Sequence, residues 1–266
     1  MIATFHNHTT FCDGKNTPRE MVEYAYESGL KAIGLSGHGY TPYDLSYCMK
    51  DTEGYILEIN RLKEEFKGKI EVYLGIEEDA FAPVDRKKFD YIIGSMHYMR
   101  IGNDYYSIDG SSAHNEIMRS AFLHDAIKIA TDYYTDFCEY IKSRKPDIIG
   151  HFDLLTKFDE VARPIFLKNQ DYHKLAEKYL DYILPTDSIF EINIGAILRG
   201  YRTNPYPYEN LLYKINRAGG KIILSLDAHD KKLLTYDFSE IIYYLKNLGF
   251  SSAYTIKNGI FVKESI

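Results

Sequence analysis

The sequence predicts an α/β fold, a mostly parallel sheet of βα units wound as a barrel. Three observations carry this. Short apolar runs recur along the chain, amphipathic stretches separate them, and 266 residues suit one domain of barrel size. Seven runs read as strands, at 2–5, 32–36, 71–76, 91–95, 147–150, 188–193 and 221–226. Helices are expected at 18–28, 54–66, 114–143, 172–182, 207–218 and 239–248. The whole chain, 1–266, reads as a single domain.

The first helix has a defined start. Thr17 caps it, Pro18 sits in the first turn where a missing N–H costs nothing, and Glu20 stands three residues after the cap. Gly29 supplies a permissive stop before the second strand, and Gly219 and Gly220 precede the seventh in the same way. The least regular stretch is 98–145. Its first part, MRIGNDYYSIDGSSAH, is rich in Gly, Asp, Asn and Ser and reads as a loop, while Ile117, Ala121, Ile127, Ala130 and Tyr134 follow a helical spacing. As an insertion after a strand end, 98–145 is expected over the barrel mouth. Near the C-terminus, Asn258 and Gly259 between two apolar runs predict a closing hairpin.

Composition bounds the partners. A formal charge of -6, from 32 Lys plus Arg against 38 Asp plus Glu, disfavours a polyanion-coating surface, so no dedicated nucleic-acid partner is expected. A small phosphorylated substrate stays compatible, because a few cations beside bound metals outweigh a mildly acidic exterior. Cys12, Cys48 and Cys138 are odd in number and form no CxxC pair, which fits a reducing cytoplasm. Polar residues arrive at His6 and Asn7, too early for a signal peptide, and no stretch is apolar enough to span a bilayer, so no membrane partner is expected. The 25 tyrosines suit helix surfaces, polar cavities or the contacts of a homo-oligomer.

The histidines say more. His6, His8, His38, His97, His151 and His229 each fall at or just past the carboxyl end of an expected strand, and in a parallel barrel those ends meet at one rim. His6 with His8, and Asp227 with His229, are spaced to share a face of a strand. Taken singly, each is weak. A lone histidine is more often satisfied by a carbonyl or water, and Glu77 alone reads as a helix-start charge. Their concurrence with Glu77 and Asp13 at the same topological end argues for one site, since polar groups in apolar strand contexts are costly without partners. Imidazole with carboxylate suits Zn, Mn or Fe better than hydrated magnesium. By contrast His114, His124 and His173 fall in or beside helical stretches, with His124 and His173 expected on the surface.

The segments HNHTTFCDG at 6–14, SGHG at 36–39, GIE at 75–77, GSMH at 94–97, GHFD at 150–153 and DAH at 227–229 resemble the polymerase and histidinol phosphatase (PHP) superfamily, in family order along nearly the whole chain. YYSIDG and GHFDLLTKF, with the chain length and the insertion after His97, resemble its histidinol-phosphate phosphatase branch. The resemblance implies a distorted TIM-like (βα)7 barrel with two to three divalent ions, Zn, Mn or Fe, in a trinuclear site at the C-terminal ends of the strands. His6, His8, Glu77 and Asp227 would hold one ion, Glu77, His97 and His151 a second, and Asp13, His38 and His229 a third. It also implies hydrolysis of L-histidinol phosphate in histidine biosynthesis.

On that reading Glu77 bridges cations, Asp227 and His229 bind metal and assist proton transfer to the departing alkoxide, and His38 stabilises the same oxygen. Arg199 is the first choice for phosphate, because a guanidinium fork matches phosphate oxygens; Arg163 and Lys157 are second choices, equally readable as solvated charges. Tyr98, Tyr105, Tyr106 and Asp109 are candidates for the imidazole and ammonium of the substrate. Two rivals stand: a superfamily phosphoesterase acting on nucleotides or oligonucleotides, and a metal-stabilised binding protein. The second is disfavoured by more ligands than one structural zinc needs.

Overall fold

Short buried strands alternate with amphipathic helices along most of the chain. The computed structural model describes residues 3–266; Met1 and Ile2, and with them the start of the expected strand 2–5, lie outside the described residues. In order come β1 (Ala3–Thr4), α1 (Pro18–Glu27), β2 (Ala32–Leu35), α2 (Thr52–Glu65), β3 (Glu71–Asp79) and β4 (Tyr91–Ser95). A small hairpin follows, β5 (Tyr98–Ile101) and β6 (Asp104–Ser107), then α3 (Ser112–Ala121) and α4 (Ala126–Arg144). The chain continues through β7 (Ile148–Ile149), α5 (Gln170–Ile183), β8 (Ile189–Asn193), α6 (Gly195–Leu198), α7 (Glu209–Arg217), β9 (Ile222–Ser225), α8 (Ser239–Asn247), β10 (Ser252–Lys257) and β11 (Ile260–Ser265).

The main sheet runs β1-β2-β3-β4-β7-β8-β9-β10-β11. Every pairing from β1 to β10 is parallel, and β10 with β11 is antiparallel. This is an α/β fold with a mostly parallel sheet. Each of the seven expected runs overlaps one of its strands, β3 running on to Asp79 beyond the expected 71–76. The closing hairpin forms around Asn258 and Gly259 as expected, and β10 also joins β9 through the pair Tyr254 and Ile223. Beyond β1 and β9, Asn7 and Ala228 form an isolated parallel bridge, in which His8 N–H donates to Ala228 O at 2.8 Å and Ala228 N–H to His6 O at 3.1 Å.

Alternation along the strands sorts side chains onto two faces. Ile33, Leu35, Val72, Leu74 and Ile92 belong to the large core shared with the helices, whereas Phe5, Tyr73, Tyr91, Ile93, Ile148 and Ile223 form a second, separate apolar cluster. Tyr91 fills the second cluster and its hydroxyl donates to the Phe5 carbonyl. Gly34 and Gly75 make room for it, since a Cβ on either would come within 2.2 Å of the tyrosine.

α1 starts with the expected capping box, Thr17 and Glu20 exchanging hydrogen bonds. Two expectations need correction. The helix expected over 114–143 is two helices, because Leu123 and His124 adopt left-handed backbone (φ 55° and 56°) and Asp125 caps a new start by accepting from the Ile127 and Lys128 N–H groups. The segment read as a loop contains the β5–β6 hairpin, turned at Gly102 (φ 59°) and Asn103. No helix among the described residues is long and apolar enough to cross a membrane.

Candidate metal centre

The carboxyl ends of the parallel strands deliver the polar groups. His6 and His8 follow β1, His38 follows β2, Glu77 lies in β3, His97 follows β4, His151 follows β7, and Asp227 and His229 follow β9. Glu77 is the hub. Its Oε2 lies 3.3 Å from His6 Nε2, 3.6 Å from His8 Nε2 and 2.8 Å from His38 Nδ1. Its Oε1 lies 3.2 Å from His97 Nε2 and 3.0 Å from His151 Nε2. Asp227 Oδ1 stands 3.2 Å from His8 Nε2, and Asp13 reaches His8 Nδ1 at 3.5 Å, His229 Nε2 at 3.2 Å and His38 Nε2 at 3.8 Å. All nine candidate ligands therefore meet at one place.

The donor set fits cations. His6 Nε2, His8 Nε2 and Glu77 Oε2 are buried, face one another and have no hydrogen-bond partner, so lone pairs converge without a proton aligned between them. Three groups bring their donor atoms within 4.8 Å of one another: His8, Asp13, His38 and His229; His6, His8 and Glu77; and His38, Glu77 and His97. This grouping differs in detail from the sets implied by resemblance. His8 also faces the Asp13 group and His38 also faces Glu77, while His151 and Asp227 belong to none of these tight groups.

Electrostatics agree. Burial alone would raise the Glu77 carboxyl, but His38, His6 and His97 hold it well below the usual carboxylate range. Burial is likewise overridden at Asp227 by Arg199 and His6, and at Asp13 by His38, His229 and His8. Burial would depress the imidazoles of His6 and His97, yet Glu191, Glu77 and Asp227 raise the first, and Glu77 and Asp79 raise the second. His8 goes the other way, lowered by burial and by His229 and His38. Clustered carboxylates thus give the site an affinity for positive charge that protons or metal ions can satisfy.

An outer layer orients the donors, and sequence reasoning missed it. Glu191 accepts from His6 Nδ1, from His151 N–H at 2.8 Å and from Asn193 Nδ2 at 3.0 Å. Asp79 accepts from His97 N–H at 3.0 Å and faces its Nδ1 at 3.2 Å, while Tyr43 donates to Asp79. The available signal was an acid inside a buried strand, Glu191 in FEIN and Asp79 at the end of EVYLGIEED.

A cavity of about 410 Å³ opens over the ligands. Arg199 lines it, tied to Asp227 by Nη2 to Oδ2 at 2.9 Å and Nη1 to the carbonyl at 3.2 Å. Lys157 and Asp109 line it as a pair, Lys157 Nζ donating to Asp109 O at 2.8 Å and Oδ2 at 3.1 Å. Tyr98 lines it and donates to Asp44. Three candidates fall elsewhere. Arg163 is exposed outside the cavity, its carbonyl accepting from Arg119 Nη1 at 2.6 Å in a loop gathered by the buried Asp159. Tyr105 lies against Tyr43 with ring centres 3.9 Å apart, and Tyr106 packs on the main core. His124 is exposed, but His173 is half-buried with Nε2 2.9 Å from Leu167 O, so it is not the surface residue expected. Asp44, Tyr47 and His114 line the cavity without having been singled out.

The comparisons with known proteins accord with this geometry. A "Probable histidinol-phosphatase" of Schizosaccharomyces pombe is 27% identical over 263 residues, 94% of this chain and 80% of that protein. The histidinol-phosphatase of Lactococcus lactis subsp. lactis is 26% identical over 258 residues, 92% of this chain and 90% of its own. The crystal structure of histidinol phosphate phosphatase from Lactococcus lactis subsp. lactis, complexed with zinc, L-histidinol and phosphate, shares the fold with a TM-score of 0.69 at 21% identity over 98% of both chains. A profile of the PHP domain matches residues 4–195, and the chain belongs to the PHP domain family.

Proposed function

We propose that this chain is a metal-dependent histidinol-phosphatase that hydrolyses L-histidinol phosphate to L-histidinol and phosphate in histidine biosynthesis. The observation that carries the reading is Glu77, whose two oxygens are shared among five imidazoles beneath a cavity that holds Arg199. The names of the relatives, which match over 80% and 90% of their length, supply the substrate.

His6, His8, Asp13, His38, Glu77, His97, His151, Asp227 and His229 would hold two to three divalent ions, Zn, Mn or Fe. When bound, such ions lower the pKa of water and neutralise phosphoryl oxygens. The protein's own part is to bind and to move protons. Arg199, its guanidinium fixed by Asp227, offers its remaining donors to a phosphate, with Lys157 as a second cation. His229, 3.2 Å from Asp13 and 3.6 Å from Asp227, is placed to assist proton transfer to the departing alkoxide, with His38 and Asp227 beside it. Tyr98 contributes to the cavity wall beside Asp44.

In this reading residues 1–266 form one domain whose parallel strands close as a distorted TIM-like (βα)7 barrel, a closure supported by the Asn7 and Ala228 bridge. The insertion at 98–145 covers the mouth through its first half, where Tyr98, Ser107, Asp109 and His114 line the cavity. A cytoplasmic location suits a biosynthetic enzyme with three free cysteines.

The test is purified protein of measured metal content, assayed against L-histidinol phosphate, AMP, bis-nucleotide phosphates and an aryl phosphate. The highest kcat/KM is expected on L-histidinol phosphate, and a higher value on AMP rejects the assignment. Glu77→Ala is expected to lose metal and turnover together; full metal content with near-normal turnover excludes the bridging role.

A further inference from the structure

We propose that Asp44, on the loop between β2 and α2, receives the protonated amine of an amine-bearing phosphate monoester and so determines specificity in the cavity that Arg199 also lines. This rests on the histidinol-phosphatase reading and names the group that would tell such a substrate from an ordinary monoester. The sequence points to Tyr98, Tyr105, Tyr106 and Asp109 for this task, but Tyr98 donates to Asp44, Tyr106 packs on the main core, and the other two are otherwise engaged. The Asp109 carboxylate is paired with Lys157, whose Nζ lies 3.1 Å from Oδ2 and also donates to the Asp109 backbone carbonyl, and Tyr105 lies against Tyr43 away from the cavity.

Asp44 is a carboxylate held ready, and His114 in the same cavity wall stands near enough for its charge to favour the ionised form without pairing with it. Its Oδ1 accepts from Ser46 N–H at 2.9 Å and Ser46 Oγ at 2.6 Å, and its Oδ2 from the Tyr98 hydroxyl at 2.5 Å. Three donors fix its orientation and favour the charged form. Among the described residues no Lys, Arg or His lies within 4 Å of this carboxylate, whereas Arg199 and Lys157 each have an acidic partner. A half-buried, oriented and unpaired negative charge in a cavity wall is a receptor for a cation.

The wall between the metal centre and Asp44 is aromatic. Tyr47 meets the His38 ring edge-on at 4.7 Å and lies beside Tyr98 with ring centres 6.0 Å apart; Tyr98 in turn carries the hydrogen bond to Asp44. Aromatic faces favour an organic cation passing along them. The cavity therefore offers a phosphate site at Arg199 and the candidate metal ligands, and an amine site at Asp44, linked to His38 through Tyr47 and Tyr98.

The experiment uses the metal-loaded full chain and Asp44→Asn, with kcat/KM measured on L-histidinol phosphate and on 4-nitrophenyl phosphate, which has no amine. The ratio of the two is expected to fall by about tenfold or more in the variant, through a higher KM for the amine substrate, as loss of a hydrogen bond to a charged group implies. An unchanged ratio overturns the proposal. If the variant is inactive on both, equilibrium binding decides: L-histidinol, with amine but no phosphate, should bind the variant about tenfold more weakly than the native protein, and equal affinity overturns the proposal. Asp44→Glu should restore part of the ratio. If native protein fails to hydrolyse L-histidinol phosphate, the parent reading falls while Asp44 is still tested with 2-aminoethyl phosphate against ethyl phosphate. A native preference for the amine ester that Asp44→Asn abolishes then upholds the role, and no native preference overturns it.

Discussion

His6 turns its Nδ1 edge onto the carboxylate of Glu191, 185 positions away in sequence, and thereby points Nε2 at Glu77. The same carboxylate accepts the backbone N–H of His151, so one buried acid orients ligands from two strands. A carboxylate behind an imidazole fixes its tautomer and strengthens it as a donor. Glu191→Gln keeps an acceptor but removes the charge. Its affinity for zinc, measured by competition with a chromogenic chelator, should drop by about ten- to a hundredfold. Native affinity in the variant would show that Glu191 merely fills space.

Arg199 holds its fork on Asp227 through two contacts, at 2.9 and 3.2 Å. A lysine has a single ammonium and cannot keep both while facing a phosphate. Arg199→Lys is expected to raise KM for a phosphomonoester by about tenfold or more, in keeping with loss of a charge-assisted hydrogen bond. Steady-state kinetics with metal content held constant check this, and an unchanged KM removes Arg199 from phosphate binding.

Burial pushes the Asp109 carboxyl up, but Lys157, helped by His97 and His151, brings it down to about 2. An unfolded aspartate titrates near about 3.9, so the folded protein binds the proton less well and gains stability above that pH, which is lost as pH falls toward 2. Asp109→Asn should cost about 2–3 kcal/mol at pH 7, the equivalent of that displacement. Urea melts of both proteins should show the gap narrowing below about pH 4. A gap independent of pH would mean that Lys157 and Asp109 do not couple.

Leu123 sits at φ 55° with 88% of its surface exposed, so it carries left-handed strain without burial in return. Left-handed backbone costs an L-residue about 1 kcal/mol or more, part of which glycine recovers. Leu123→Gly should raise stability by roughly 0.5–1 kcal/mol in thermal or urea melts. A lower melting temperature would mean the turn between α3 and α4 is not strained.

Particular residues show what the sequence disclosed. The strand ends were readable because apolar runs such as AIGL and YIIGS are buried on both faces, and a histidine just after such a run has few places to point. The nine candidate ligands were read this way together with the family motifs, and the structure brings them together around Glu77 and Asp13. The break at Leu123 and His124 was obscured because apolar residues continue in helical register on both sides; the cap at Asp125 was the neglected sign. Glu191 and Asp44 were unreadable for another reason. Their importance lies in what faces them, His6 in one case and an open cavity wall in the other, and neither neighbour is near in sequence.

The bridge from Asn7 to Ala228 makes the N-terminal segment dock beside a strand that is among the last synthesised. On the ribosome, most of the proposed ion-binding groups emerge early and wait without their counterparts Asp227 and His229. Cation capture is then a finishing stitch rather than a nucleus, so chelators should slow the last phase of refolding and leave the earlier collapse untouched.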